Sequence, residues 1–101
     1  MSWRNTKEYK WWKNKCKHRD GHRCALTGHT KRLEVHHFNH ATFFPEERLD
    51  IDNGITLTRS VHAVFHLFIM GGYRKKCTRK DWDRYVRLFK YIIQISKILK
   101  L

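Results

Sequence analysis

The sequence predicts a single domain of the α+β class, in which a hairpin of two short strands and a helix are flanked by an N-terminal and a C-terminal helix. Three observations carry this prediction. Apolar residues recur at helical spacing near both ends of the chain, they alternate with polar residues in two short segments between them, and helical spacing returns directly after the second segment. A chain of 101 residues is long enough for one compact domain and too short for a second core.

The N-terminal helix is predicted over about residues 3–19. Tyr9, Trp12 and Cys16 follow one another at i, i+3 and i+7, which is the spacing of one buried stripe. Interleaved tryptophan and lysine side chains can also bind nucleic acid by stacking and charge, but aromatic residues at helical spacing more often belong to a core. Trp11 lies off the stripe and is therefore the better candidate for a nucleic-acid contact.

The hairpin is predicted from two segments with a period of two. The first covers residues 31–38, where Leu33 and Val35 alternate inward. A long polar connection over residues 39–54 follows and ends in the turn signal Asn-Gly. Residues 55–58 then resume the alternation and form the returning strand.

A helix is predicted over about residues 60–70, because apolar residues there follow the spacing i, i+3, i+4 and i+7. These residues are Val61, Val64, Phe65 and Phe68. Thr58 or Ser60 can cap the start of this helix, and two glycines end it.

The C-terminal helix is predicted over about residues 78–100. Thr78 and Asp81 have the spacing of a capping box, in which the side chain of each residue accepts a hydrogen bond from the backbone N–H of the other. The residues that follow are apolar over a wide face.

The charge of the chain is strongly positive. Twenty-two lysines and arginines stand against nine acidic residues, which gives a formal net charge of +13. Such a field attracts polyanions, with nucleic acid as the commonest partner and an anionic membrane as the alternative. No apolar run has the length of a membrane span and no secretion signal begins the chain, so we expect a cytoplasmic protein with no membrane partner. The odd number of cysteines predicts free thiols or metal ligands rather than disulfides.

Histidines carry the functional signal. His62 and His66 are four residues apart on a predicted helix, so both rings leave the same face and can reach one metal ion. The adjacent His36 and His37 end a predicted strand, where one can complete a three-histidine site and the other remains free for proton transfer. Strict alternation would place these two on opposite faces, so the strand must end or twist there if both serve one site.

Three parts of the sequence together resemble the motif of the HNH endonuclease family. They are Leu33-Glu-Val-His36-His37, Asn53-Gly-Ile-Thr-Leu57 and Thr58-Arg-Ser-Val-His62-Ala-Val-Phe-His66. The resemblance covers about residues 19–70 and is best to the phage and intron-encoded members. The asparagine nine residues before the helix histidine and the further histidine four residues later are similar to those of bacterial DNase toxins of the colicin type.

The resemblance implies a ββα-metal (His-Me finger) core that holds one divalent cation, and it assigns a role to each matching residue. The implied metal ligands are His36, His62 and His66. His37 matches the general base, and Asn53 matches the residue whose hydrogen bonds hold the loop and hence that base. Glu34 has two interpretations, a carboxylate that orients a ligating imidazole or an exposed strand residue. Candidate DNA contacts are Arg23, Arg59 and Trp11.

The cofactor implied is one divalent metal ion. Histidine ligands favour zinc, nickel or manganese by affinity, whereas cellular abundance favours magnesium. Many relatives also carry two C-x-x-C pairs that bind a structural zinc. Only Cys24 is retained here, and the other three positions carry Thr27, Thr58 and Val61, so a four-cysteine zinc site is excluded.

The function predicted from the resemblance is metal-dependent hydrolysis of DNA phosphodiester bonds. A single site cuts one strand, so a monomer should nick double-stranded DNA, whereas a double-strand break needs a dimer, a second visit or a partner; whether the chain is a monomer or a homodimer stays open. The resemblance fits a phage-type role such as homing, genome packaging or host DNA degradation in a bacterial host cell, with phage packaging proteins as candidate partners. Two alternatives remain: a non-catalytic DNA-binding module with a structural metal site, and a basic RNA-binding or membrane-surface protein.

Overall fold

The computed structural model describes residues 2–99 and confirms the α+β prediction, with a hairpin followed by a helix and a helix at each end of the chain. The regular elements are α1 (Lys7–Arg19), β1 (Leu33–His37), β2 (Gly54–Thr58), α2 (Arg59–Val64) and α3 (Arg79–Ile98). Short 3-10 turns lie at Trp3–Asn5, Pro45–Glu47 and Ile51–Asn53. Residue 100, the predicted end of the last helix, lies outside the described residues.

The two strands pair antiparallel, from Leu33 opposite Thr58 to His37 opposite Gly54. The pleat of β1 sends alternate side chains to opposite faces of the hairpin. Val35 faces α1 and packs with its buried residues Trp12 and Cys16. The next residue of the strand, His36, faces α2 and the start of α3. The hairpin therefore separates two small apolar clusters.

Gly54 is needed for close packing rather than for a turn. The predicted Asn53-Gly54 turn is wrong in detail, because the chain turns over Ile51–Asn53 and Gly54 is already extended, with φ at −132°. A Cβ atom on Gly54 would lie 2.5 Å from a ring carbon of Trp12 and 2.7 Å from the Cys16 sulfur. The absence of a side chain lets α1 dock directly on β2.

The second helix begins at Arg59 and is capped by Thr58, whose hydroxyl accepts a hydrogen bond from the Val61 amide, as predicted for a cap. After Val64 it widens into a π-helical turn over Phe65–Ile69. Val61 and Phe65 are buried, whereas Val64 and Phe68, which belong to the same helical spacing, are 41% and 79% exposed. The reason is that the hairpin and α3 cover only one narrow edge of this helix, and a second edge carries histidines instead of apolar residues.

The last helix packs against the rest of the domain only over its first turns. Its start has the predicted capping box, with the Asp81 carboxylate accepting a hydrogen bond from the Thr78 amide at 2.8 Å. Trp82 and Tyr85 are buried, and the Tyr85 hydroxyl donates to the Val61 carbonyl at 3.1 Å. Large apolar side chains beyond this point are exposed, among them Leu88, Tyr91, Ile92, Ile93 and Ile98. Within residues 2–99, no helix combines the length and the apolarity that crossing a membrane requires.

Candidate metal centre and active site

Three histidines from different parts of the core converge at one point. His36 comes from β1, His62 from α2 and His66 from the π-helical turn. One ring nitrogen of each lies within 4.8 Å of those of the other two. The Nε2 atoms of His62 and His66 are 3.0 Å apart, close to the roughly 3.3 Å that separates two ligands of a tetrahedral ion with metal–nitrogen bonds of about 2.0–2.1 Å. The structure therefore brings together the three predicted ligands.

The hydrogen bonding of these rings fits a metal ion. Both ring nitrogens of His36 and Nδ1 of His66 are buried and have no hydrogen-bond partner among the residues the structure describes. Buried polar atoms in proteins are nearly always paired, so nitrogens left over in a tight cluster need an explanation. Neutral imidazole is also a common ligand of zinc and of other transition metals. The cluster can therefore hold one divalent ion.

The same surroundings keep the three rings neutral. Burial lowers the pKa of His36 well below its usual value, and the nearby His62 lowers it further. Burial also lowers the pKa of His66 to about 4. The pKa of His62 is lowered by burial as well, although its hydrogen bond to Glu34 acts in the opposite direction. Only the neutral ring has a lone pair to offer a metal, so all three are in the ligand form near neutral pH.

Glu34 holds one of these rings in place. Its carboxylate oxygen Oε1 lies 2.9 Å from Nδ1 of His62. Because Nδ1 then carries the proton and donates it to Glu34, the lone pair of His62 is on Nε2, the atom nearest His66. The other Glu34 oxygen lies 3.5 Å from the guanidinium of Arg59.

His37 has different surroundings from those of its neighbour His36. Its ring stacks on Trp12, with ring centres 4.1 Å apart and planes within 9° of parallel. Its Nε2 lies 2.9 Å from the Arg48 carbonyl oxygen. A carbonyl only accepts, so Nε2 carries the proton and Nδ1 carries the lone pair. Burial lowers the pKa of His37 to about 4, although the bond to Arg48 acts against this.

Asn53 ties together the loop that follows His37. Its side-chain oxygen accepts a hydrogen bond from the Asn39 amide at 2.9 Å, and its side-chain nitrogen donates to the carbonyls of Asn39 and Glu47 at 3.0 and 3.2 Å. Glu47 immediately precedes Arg48, the residue whose carbonyl meets His37. The buried amide therefore fixes the loop segment that orients the His37 ring.

The metal-site histidines and His37 open onto one cavity of about 610 Å³. His36 and His37 do point to opposite faces of the hairpin, but β1 ends at His37, so the cavity reaches both around the end of the strand. Further lining residues are Trp3, Arg4, Tyr9, Phe43, Tyr73 and Arg74. The conflict between strand alternation and a shared site is resolved by the end of the strand.

The predicted DNA contacts lie outside this cavity. Trp11 is 52% exposed and lines a separate shallow depression with Lys7, Glu8 and Leu49. Arg23 and Arg59 are exposed. The structure brings none of these three residues to the histidine cluster, although Arg59 contacts Glu34 beside it.

The cysteines do not form a metal site. Cys16, Cys24 and Cys77 are all buried and free in the described part of the chain. Cys24 packs in the same apolar cluster as Val61. Apolar packing occupies that region here.

Sequence reasoning missed several residues around the site. It treated Trp12 as core alone, whereas this residue is also the platform under His37. It gave no role to Tyr73, whose ring stacks on His66 with centres 4.7 Å apart. Two glycines precede Tyr73 with φ values of 80° and 143° and mark the tight return of the chain, but no local pattern predicts where that return leads.

Comparisons of the chain with models of protein families, with curated protein sequences and with solved structures give no match.

Proposed function

We propose that this chain is a metal-dependent DNA endonuclease of the HNH type, which hydrolyses phosphodiester bonds and nicks double-stranded DNA. The observation that carries the proposal is the pairing of two kinds of histidine in one cavity. Three clustered rings form a candidate ligand set, and two of them, His36 and His66, have buried nitrogens with no partner among the described residues. A fourth ring, His37, has one nitrogen fixed by a carbonyl and the other available. A purely structural metal site needs the ligand histidines, but it does not need a further histidine with a free nitrogen.

His37 acts as the general base. With its Nε2 proton held by the Arg48 carbonyl, Nδ1 can accept a proton from a water molecule that attacks the scissile phosphorus. A new oxygen–phosphorus bond forms, the bond from phosphorus to the leaving sugar oxygen breaks, and that oxygen takes a proton from solvent. A low pKa keeps the base free of a proton near neutral pH, but it also makes the neutral ring a weaker base. Trp12 and the loop held by Asn53 position His37.

The three-histidine cluster would hold one divalent ion, with Glu34 orienting His62. An ion held by neutral ligands keeps its full charge, which polarises a phosphate oxygen and stabilises the negative charge that develops during hydrolysis. The positive surface of the protein supplies attraction for the DNA backbone that does not depend on sequence.

The experiment that tests this proposal is cleavage of supercoiled plasmid by metal-stripped protein. Magnesium, manganese, nickel or zinc is added back singly, and conversion to the open circular form is followed over time. His37→Ala is run in parallel, with His29→Ala as a matched control because His29 is exposed and lies outside the cavity. Nicking that needs both metal and His37 is the expected result.

Two outcomes would contradict the proposal. Cleavage by His37→Ala at the rate of the unmodified protein would remove the general base from the mechanism. Tight DNA binding with no cleavage under any metal would favour the non-catalytic binding module instead.

A further inference from the structure

Aromatic side chains stand exposed around the mouth of the histidine cavity. Phe43 is 47% exposed and touches His40 edge-on, with ring centres 5.2 Å apart. Tyr73 is 50% exposed although one side of its ring stacks on His66. Neither residue belongs to the two apolar clusters of the core. Both rings therefore present a solvent-accessible face beside the cavity.

The same cavity is complementary to a nucleic-acid strand in charge. Arg4 and Arg74 line it, and none of the described residues that line it is acidic. The ammonium group of Lys76 lies 5.9 Å from the centre of the Phe43 ring and so adds positive charge at the mouth. A volume of about 610 Å³ lies within the range of pockets that take small organic ligands, and it exceeds what a phosphate group alone requires.

Exposed aromatic rings beside cationic side chains are the arrangement with which proteins bind single-stranded nucleic acid. The base stacks on the ring and the cation attracts the backbone. Within a perfect duplex each base is already covered on both faces by its neighbours, so it has no free face for a protein ring. Aromatic rings at the mouth therefore favour a substrate with unpaired bases next to the bond that is cut.

We infer that this cavity accepts DNA whose bases are unpaired beside the scissile phosphate, and that Phe43 and Tyr73 are the rings on which those bases stack. The inference rests on the proposed endonuclease function and specifies its substrate. Single-stranded DNA and a bulge within a duplex both supply such bases. A fully paired duplex is then a slower substrate, which the enzyme cuts when local opening exposes a base.

The test compares three DNA substrates of the same sequence around the cut: a single strand, a duplex with a short bulge and a perfect duplex. Initial cleavage rates are measured with the most active metal. Phe43→Leu and Tyr73→Leu keep an apolar side chain but remove the flat ring. Phe68→Leu and Tyr91→Leu are matched controls, because both residues are exposed aromatics that do not line the cavity. Thermal melting verifies that every variant is folded.

We expect the unmodified protein to cut the single strand and the bulged duplex at least about fivefold faster than the perfect duplex, since stacking one base on a ring stabilises a complex by about 1–3 kcal/mol. Phe43→Leu and Tyr73→Leu should each reduce that preference, and the controls should keep it. Equal rates on the three substrates, or an unchanged preference in both cavity variants, would overturn the inference and leave the endonuclease function standing.

A binding measurement separates this inference from the proposed function. Fluorescence anisotropy of labelled single-stranded and duplex DNA, with metal-free protein, reports stacking without any cleavage. Weaker single-strand binding by Phe43→Leu, with duplex binding unchanged, supports the stacking of unpaired bases on this ring, whether or not any metal supports cutting. Equal loss on both DNAs contradicts it.

Discussion

The two faces of the hairpin carry histidines of opposite character, although His36 and His37 are neighbours in the chain. On the face towards α1, the His37 ring stacks on Trp12 and one of its nitrogens bonds to a carbonyl. On the face towards α2, both nitrogens of His36 are buried and have no hydrogen-bond partner within residues 2–99. One ring nitrogen of His37 therefore has a hydrogen-bond partner, whereas neither ring nitrogen of His36 has one among the described residues.

This difference shows that residue type alone does not decide what a histidine does. An imidazole is suited to proton transfer where one of its nitrogens is fixed as a hydrogen-bond donor. It is suited to metal binding where its free nitrogen lies close to the free nitrogens of other imidazoles. The pleat of a strand gives two successive residues these two environments. The predictions below test the separation between the two faces, from the largest expected effect to the smallest.

His66→Ala should abolish tight metal binding and metal-dependent cleavage together. Loss of a direct ligand should exceed the roughly 10–100-fold loss that partners of a ligand cause. Isothermal titration of metal-stripped protein with zinc or nickel measures the affinity. The exposed His29→Ala serves as the control. Full metal affinity in His66→Ala would exclude this residue from the site.

His37→Ala should reduce the rate of DNA cleavage and leave metal binding intact. Removal of a general base costs about 10²–10⁴-fold in rate, while the metal affinity should stay close to that of the unmodified protein. Cleavage rate and metal titration on the same preparation measure the two effects. A large loss of affinity would mean that His37 is a ligand and that the roles of the two faces are exchanged.

Acid should destabilise the metal-free protein through both faces. His37 and His66 have ordinary pKa values of 6.5 that burial lowers to about 4 in the folded protein. Between these values the unfolded chain binds protons that the folded chain does not, so the free energy of unfolding falls as the pH falls. At neutral pH both states are unprotonated and these residues have no such effect. The loss should be on the order of a few kcal/mol by about pH 4.

Urea unfolding at neutral pH and at acid pH measures this effect. His37→Gln changes the face towards α1, and His66→Gln changes the face towards α2. Each substitution should make the free energy of unfolding less dependent on pH. His29→Gln, at an exposed position outside the cavity, is the matched control. If neither site variant alters the slope, other groups cause the acid sensitivity.

Glu34→Gln should have the smallest effect. The amide can still accept a hydrogen bond from His62, but it lacks the negative charge that strengthens this ligand. We expect a loss of metal affinity of roughly tenfold, with the fold unchanged. An unchanged affinity would return Glu34 to the other interpretation, an exposed strand residue without a role at the metal.

Much of the fold was predictable because its signals are local. The spacing around Trp12, the alternation in β1, the Thr78 cap and the two glycines after Met70 each act within a few residues. The three-histidine cluster was also predictable, since a helical i, i+4 pair and a strand end form a recognisable motif.

The remaining features depend on contacts between distant segments. The exposure of Phe68 follows from how little of α2 the hairpin covers, and helical spacing cannot report that. The π-helical turn at Phe65–Ile69 has no sequence signal that we recognise. Arg48 orients His37 through a backbone carbonyl, a group that every residue possesses, so its identity gave no indication.

The register of the hairpin has a consequence for how this chain tolerates insertions and deletions. With His36 opposite Ile55 and His37 opposite Gly54, His36 faces α2 and His37 faces α1. A shift of one residue within β1 would turn every side chain of the strand to the other face. His37 would then point at His62 and His66, and His36 would point at Trp12. A single codon gained or lost in this strand therefore changes the chemistry of the protein as well as its shape.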